Sequence, residues 1–512
     1  MRYRVTCDPD LPPMAWCVRL REGADIELLC GTSVELRDDA FFEGAWSGSI
    51  EAFDFVDATD VFGSGGQVSG DELIIVPPSH TLERIQFIRR QDETLISNSL
   101  VFLLTAARAQ LDPRHTSYAA DFTNIIHDGL ASFDTVTPIR FADAELRGEA
   151  HIVYYKNVCF HADGRISFID KPVGPPFETF ADYVALLEES VCATVANAGS
   201  PHRATQYSPL ASISSGYDSP AVAALARDVG CTRAVTFTHA RGHGSAEAED
   251  DSGTPIAELL GCRIKEFQRE AYRDVRPFPE AEFLATGMSG EDLNTLPLED
   301  DIHHSVFFSG HYGGRVWDVD SDPDDALRRK DMSGASLNEF RLRTDFVHLA
   351  VPFIGARRQP KIFEIGTSDA MKNWSIGTDY DRPVPRRIAE DAGVPRHLFG
   401  QKKRATSALL HTGGGSAWTE QTRAAVVEYA KRLRLSPRTR LAYVLDSGTE
   451  LLRAFAQRVL RRLGLLRFTP ALAKPVGIHS HTPLGPLPIF WAIENISPRY
   501  TEAVNAWSRP DQ

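Results

Sequence analysis

Apolar and polar positions change their period along this chain, and the change divides it. Up to about residue 195 the pattern is mainly that of strands with some helix. Ile85–Arg89 and Thr94–Ser97 read as short strands around a polar Gln91-Asp92 turn, and Asn98 or Ser99 caps a helix from Leu100 to about Ala109. His151–Phe160 and Arg165–Ile169 read as a hairpin through Asp163-Gly164, a strong turn signal. Gly63-Ser64-Gly65-Gly66 precedes the strand-like Glu72–Val76 rather than a helix, so it is expected to be a hairpin turn and not a phosphate loop. Phe180, Tyr183, Val184, Leu187 and Val191 follow helical spacing and, with the polar segment Asn197–Gln206, link the two halves.

Beyond that link, strands and helices alternate. Leu210, Ala211 and Ile213 form a buried strand, followed by the Ser214–Ser219 loop and a helix from Ala221 to Asp228 that closes at Gly230. Ser219 is expected to cap this helix, with Pro220 at its first position. Ala234–Thr238, Arg263–Phe267 and Val306–Ser309 are further strands, and Thr254–Leu260 is a helix that Asp251-Ser252 either opens as a functional polar pair or merely caps. The predicted class is α/β. An α+β domain over residues 1–195 precedes a parallel-sheet α/β domain over 196–512, whose part beyond Ser416 is mostly helical. Ligands of such a sheet bind beyond the carboxyl ends of its strands. A small-residue loop that opens a helix presents free N–H groups and a positive dipole end to an anion.

Composition narrows the picture. A chain of 512 residues exceeds a single core, and 43% hydrophobic with 24% charged residues is globular composition. The net charge of −14 argues against nucleic acid as the partner. The seven cysteines are scattered and no C-x-x-C occurs, which fits reduced thiols and a cytoplasmic location. Neither a leader-type apolar segment at the N-terminus nor an apolar run long enough to span a membrane is found. Leu451–Leu466 alternates arginines with leucines and valines; it is read as a helix packed on its own domain, with contact to a membrane surface as the alternative.

At Ser214-Ser215-Gly216-Tyr217-Asp218-Ser219 the chain resembles the S-G-G-x-D-S pyrophosphate loop of the N-type ATP pyrophosphatases, in particular the synthetase domain of the asparagine synthetases and their relatives. Ser215 stands where that motif has its first glycine. The resemblance implies ATP and Mg2+, with ATP or pyrophosphate bound by Ser214, Ser215, Gly216, Asp218 and Ser219, and adenine held by backbone near Phe237 and Thr238. Ser309–Asp318 occupies the place of the family's S-G-D-G-A-D-E loop, bringing in Gly310. Gly314 and Arg315 replace its two acidic residues, so that either Asp318, Asp320 or Asp322 takes over the metal or Arg315 contacts phosphate directly. Asp218 and Asp318 are the metal candidates taken forward. Ser336–Arg343 resembles the family's S-L-E-V-R stretch and makes Glu339 the group that positions an amine. Tyr380–Ala389, Ala392–Pro395 and Gly400–Ala405 resemble, in order, its arginine-rich helix, turn and basic loop, with Lys402 or Lys403 over the phosphates.

The first half resembles, more weakly, the glutaminase domain of the same family, through His80–Leu104. That domain uses an N-terminal nucleophilic cysteine. Here Arg2 takes that place and the nearest thiol is Cys7, so glutaminase chemistry is expected to be absent and this half to be a scaffold. The implied activity is an AMP-forming amide ligase acting on a small-molecule or peptide carboxylate and an amine, as in the related β-lactam synthetases and lasso peptide cyclases. The alternatives are asparagine-type synthesis from free ammonia or a separate glutaminase, and a non-catalytic ATP-binding subunit.

Overall fold

The computed structural model describes residues 3–508 apart from 91–92, 143–146, 239, 243–247, 250, 330, 379, 402–403, 406, 409, 411–416, 444–455, 457–458 and 460–485. The first half is built on two antiparallel-rich sheets. The larger runs β1 (Tyr3–Cys7), β3 (Ile26–Cys30), β2 (Trp16–Arg21), β9 (Glu93–Ser97), β8 (Ile85–Arg89), β12 (Arg147–Val153), β11 (Asp134–Phe141) and β10 (Ala109–Leu111). The smaller runs β14 (Ile166–Ile169), β13 (Asn157–His161), β7 (Glu72–Val76), β6 (Val61–Ser69), β5 (Ala40–Trp46) and β4 (Glu35–Leu36).

Alternation along each strand decides what lies between the sheets. Trp16 and Val18 of β2, Ile96 of β9 and Phe87 of β8 meet Phe41, Leu73, Ile75, Val158 and Phe160 of the smaller sheet in one cluster. The intervening Cys17, Leu95 and Ile88 belong to the main core with helices α1 (Leu100–Ala106) and α2 (Tyr118–Asp128). Ser99, not Asn98, caps α1 by accepting from the Phe102 N–H.

Three expectations for this half change. The helix from Leu100 ends at Ala106 because Arg108 takes a left-handed backbone (φ 48°), and Ala109 starts β10. The predicted strand His151–Phe160 breaks at Tyr155 (φ 66°), so its two pieces join different sheets; the Asp163-Gly164 turn between β13 and β14 stands. Gly63–Gly66 is not a turn but part of β6, facing β5 so closely that a Cβ on Gly63 would lie 2.0 Å from the Glu43 carbonyl oxygen and one on Gly65 2.1 Å from that of Phe41. The turn falls at Gly70, φ 58°.

The second half carries a five-stranded, wholly parallel sheet. Its spatial order is β19 (Arg263–Gln268), β16 (Arg233–Thr238), β15 (Ser208–Ser212), β20 (Ser305–Ser309) and β21 (Val347–Ala350). In chain order this reads third, second, first, fourth, fifth. The direction of winding therefore reverses between β15 and β20, and their carboxyl ends flank the topological switch point. The α/β class expected from the sequence is thus present, with the parallel sheet in the predicted half. A small three-stranded sheet joins β18 (Ala248–Glu249), β17 (Ala240–Gly242) and β22 (Arg404–Ala405). The boundary expected at residue 195 falls in the last turns of α3 (Phe180–Ala198), which a Thr179/Asp182 capping box starts. Among the described residues no helix is long and apolar enough to cross a membrane. Leu451–Leu466 lies almost wholly outside the described residues.

The halves meet through buried charge. Arg341, on the helix Asn338–Thr344, places Nη1 2.7 Å and Nη2 2.9 Å from the two carboxylate oxygens of Glu43 in β5, and Nε 2.9 Å from Glu83. All three side chains are sealed from solvent. Removing one partner strands a charge in the interior, at a cost of about 3–5 kcal/mol. Arg341→Met should lower stability toward urea by that order; a loss below about 1 kcal/mol would mean that the cluster does not hold the halves together.

Candidate active site

The loop after β15 is braced by its own hydroxyls. The Ser214 N–H donates to Ser219 Oγ at 2.9 Å, the two hydroxyls lie 2.9 Å apart, and the Gly216 N–H donates to Ser214 Oγ at 3.3 Å. Because Ser219 turns back in this way, it does not cap the following helix. α4 (Asp218–Asp228) starts two residues earlier, with Pro220 at its third position rather than its first, where its missing N–H still costs nothing. Gly230 closes the helix region with φ 82°, as expected. Ser215 tolerates the place of the motif's first glycine: neither it nor Gly216 needs a left-handed backbone. A Cβ on Gly216 would come no closer than 3.4 Å to Ser214 Oγ.

Asp251 belongs to this loop. Its carboxylate accepts from both the backbone N–H (3.2 Å) and the hydroxyl of Ser215, while Ser252 Oγ accepts from the Thr254 N–H at 3.2 Å just before the next helix, whose cap is Gly253. The expected cap role for this pair does not hold, since Gly253 occupies the cap position. Ser215 also accepts, through its carbonyl, the Gly400 N–H at 2.8 Å. Gly400 (φ 63°) leaves no room for a side chain, since a Cβ would lie 2.3 Å from the Tyr217 ring. The basic segment is therefore pinned to the loop at one flank and, at the other, pairs Arg404 and Ala405 with Gly242 and Arg241 of β17. Lys402 and Lys403 lie between these flanks, outside the described residues.

Across the switch point, Asp218 sits directly against the loop that follows β20. A Cβ on Gly310 would lie 2.8 Å from Asp218 Cβ, and one on Gly313 2.5 Å from Asp218 Cγ. Thr238, at the carboxyl end of β16, occupies the same edge, and Phe237 is buried beside it in the core. Arg315 and Asp318 follow on the same side. Asp318 is buried and its carboxylate lies 3.1 Å from Arg382 Nη1, which also approaches Asp320 at 3.3 Å. A metal at Asp318 has to share that carboxylate with a guanidinium. Arg315 donates to the Asp322 carbonyl at 2.9 Å and lies 3.7 Å from Asp324.

Arg386 was legible only as part of an arginine-rich helix. It reaches under the loop, donates to the Tyr217 hydroxyl and stacks over that ring at 4.8 Å. Tyr217, the variable position of the motif, is fully buried, and its hydroxyl donates to the Tyr380 carbonyl at 3.1 Å. Burial, with Asp218 nearby, pushes the Tyr380 phenol up. Among the described residues, Arg315 Nη1, Arg382 Nε and Arg386 Nε are buried guanidinium nitrogens without a hydrogen-bond partner. Arg386 touches the loop through Tyr217 and Arg382 lies against Asp318, and guanidinium donors are suited in kind and sign to a polyphosphate.

Glu339 is located elsewhere in the seam between the halves. Its carboxylate accepts from Ser99, the cap of α1, at 2.6 Å and from Tyr500, in the helix Pro498–Trp507, at 2.8 Å. Burial raises its pKa against the pull of those two bonds. Cys7 ends β1 with its sulfur 3.4 Å from that of Cys30. No protein-family model matches the chain, and no curated protein matches it at a significant level.

His311 of the Ser309–Gly314 loop, half-buried, pairs with the buried His348. His348 Nε2 is 2.8 Å from Ser309 Oγ and 3.2 Å from His311 Nδ1. Burial holds His348 down to about 3 and His311, with His348 facing it, down to about 4. Both are neutral in the fold but titrate at the ordinary 6.5 once exposed. Between pH 6.5 and 4 the unfolded chain binds the extra protons, so this contribution to stability is complete above 6.5 and is lost as pH falls through the folded values. Each such group adds a slope of about 1.4 kcal/mol per pH unit. His348→Gln should remove about one proton's worth of that slope, read from urea midpoints across the window; an unchanged slope would assign the acid sensitivity elsewhere. The glycine contacts give a second test. Gly313→Ala should cost about 1–3 kcal/mol by displacing Asp218, and Gly216→Ala should cost far less. Equal losses in urea unfolding would contradict the packing described here.

Proposed function

We propose that the protein is an AMP-forming, ATP-dependent amide ligase. The observation that carries this reading is the hydroxyl-braced Ser214–Ser219 loop at the switch point of the parallel sheet, with the loop after β20 and the flank of the basic segment both seated on it. In this reading the amino end of α4, with Arg315, Arg382 and Arg386, forms the anion side of the site. A substrate carboxylate attacks the α-phosphorus of ATP, pyrophosphate leaves toward the loop, and an amine then attacks the acyl-adenylate. Adenylation builds charge on the α-phosphate, and a cation aimed there lowers the barrier; Lys402 or Lys403 is the proposed source. Asp218 is the proposed ligand of Mg2+, whose charge offsets that of the phosphates. Asp318 serves as a second ligand only if Arg382 yields it. The amine is proposed to come from the substrate or from a second molecule.

Arg382 on Asp318 also favours the alternative of a nucleotide-binding subunit without turnover. Exchange of labelled pyrophosphate into ATP, run across a panel of carboxylates, separates the two. The ligase reading expects exchange with the right acid, AMP as product, and a loss of at least about 100-fold in Asp218→Asn. ADP and phosphate as products would overturn the family assignment. ATP binding with no exchange for any acid would favour the subunit.

A further inference from the structure

The outer face of the smaller sheet carries a cluster that the proposed ligase chemistry leaves unused. On β13, Val158 and Phe160 point into the intersheet core, so Cys159 and His161 point the other way. On β7, Leu73 and Ile75 point inward, and Glu72 stands on the outer face directly across from His161. On β14, Ser167 pairs across from Cys159. Register alone thus collects a carboxylate, a thiol, an imidazole and a hydroxyl on one patch. The ligand atoms of Glu72, Cys159 and His161 all lie within 4.8 Å of one another. Glu72 Oε1 is 2.7 Å and Cys159 Sγ 3.9 Å from His161 Nδ1. The other ring nitrogen, Nε2, is 2.9 Å from Ser167 Oγ.

We propose that Glu72, Cys159 and His161 form a binding site for a borderline divalent cation of the Zn2+ type, clipping β7 to β13. Three features carry it. The donor set, one carboxylate oxygen, one sulfur and one imidazole nitrogen, is that of zinc sites. The separations require only small side-chain movements to bring each donor to about 2.0–2.3 Å from a shared centre. The imidazole is already oriented through its second nitrogen, as metal-bound histidines are. The patch is partly open: Glu72 has 43% and His161 11% side-chain exposure, which leaves a fourth position for water. On binding, the Cys159 S–H breaks, the sulfur's electron pair goes to the cation and the proton passes to solvent. No redox change is involved. One neighbour competes: Arg165 Nη2 lies 3.1 Å from His161 Nδ1. Its guanidinium is 60% exposed and also reaches Asp163 at 3.7 Å, so it swings outward when the cation enters.

Cobalt(II) titration of the purified full chain tests the site. The expected result is one equivalent bound, with a thiolate-to-cobalt charge-transfer band and the visible spectrum of a four-coordinate ion, both abolished by added Zn2+. Cys159→Ser should eliminate the charge-transfer band, while Cys7→Ser should leave it intact. Ser167→Ala should weaken binding by about 10-fold. Arg165→Ala should strengthen it, an effect that damage to the fold would not produce. A charge-transfer band that survives Cys159→Ser, its loss in Cys7→Ser, or no band at excess cobalt in the wild-type chain would each overturn the proposal.

Discussion

One guanidinium in the dry seam between the two halves sets much of the geometry. Arg341 is buried with two carboxylates from the first half, and such a group is tolerable only when its geometry is complete. Its helix, Asn338–Thr344, is followed at once by β21, the edge of the parallel sheet beside β20. The neighbouring residues repeat the theme. The Met14 N–H donates to the Leu342 carbonyl at 3.1 Å, and Asp345 accepts from Ser33 at 2.6 Å and from Tyr207 at 2.7 Å. β5 and the Glu83 segment thereby hold the helix that leads into β21.

This clarifies what the sequence could and could not convey. Three strands of the parallel sheet, β16, β19 and β20, were legible to within a residue; β15 starts two residues before the expected Leu210, and β21 was not foreseen. Tertiary contact overrode local signals elsewhere. Gly63–Gly66 has turn composition, yet those glycines serve backbone-to-backbone approach inside a strand. The break at Tyr155 carries no glycine or proline to announce it. Glu339 sits in a stretch that resembles a family motif, and its structural partners, Ser99 and Tyr500, are 240 and 161 residues distant. No local pattern encodes such a meeting.

The same contrast holds for the candidate site. The hexapeptide loop was visible because it packs strand, small residues and helix into one short segment. The supports of that loop were not. Asp251 reaches Ser215 across 36 residues, and Gly400 reaches the same serine from the far end of the domain. Arg386 was indistinguishable from its neighbour Arg387, which turns instead to the rings of Phe180 and Trp374. Two adjacent arginines on one helix thus face different surroundings, which only the packing of that helix decides.

The imidazole pair at the Ser309–Gly314 loop bears on the electric field at the switch point. Because His311 and His348 are neutral, the pair contributes dipoles but no net charge. The local potential then comes from other sources, among them the amino end of α4, the carboxylates of Asp218, Asp251 and Asp318 and the guanidinium groups of Arg382 and Arg386. The two imidazoles therefore add no proton-dependent charge to this edge of the sheet until the pH falls toward 4.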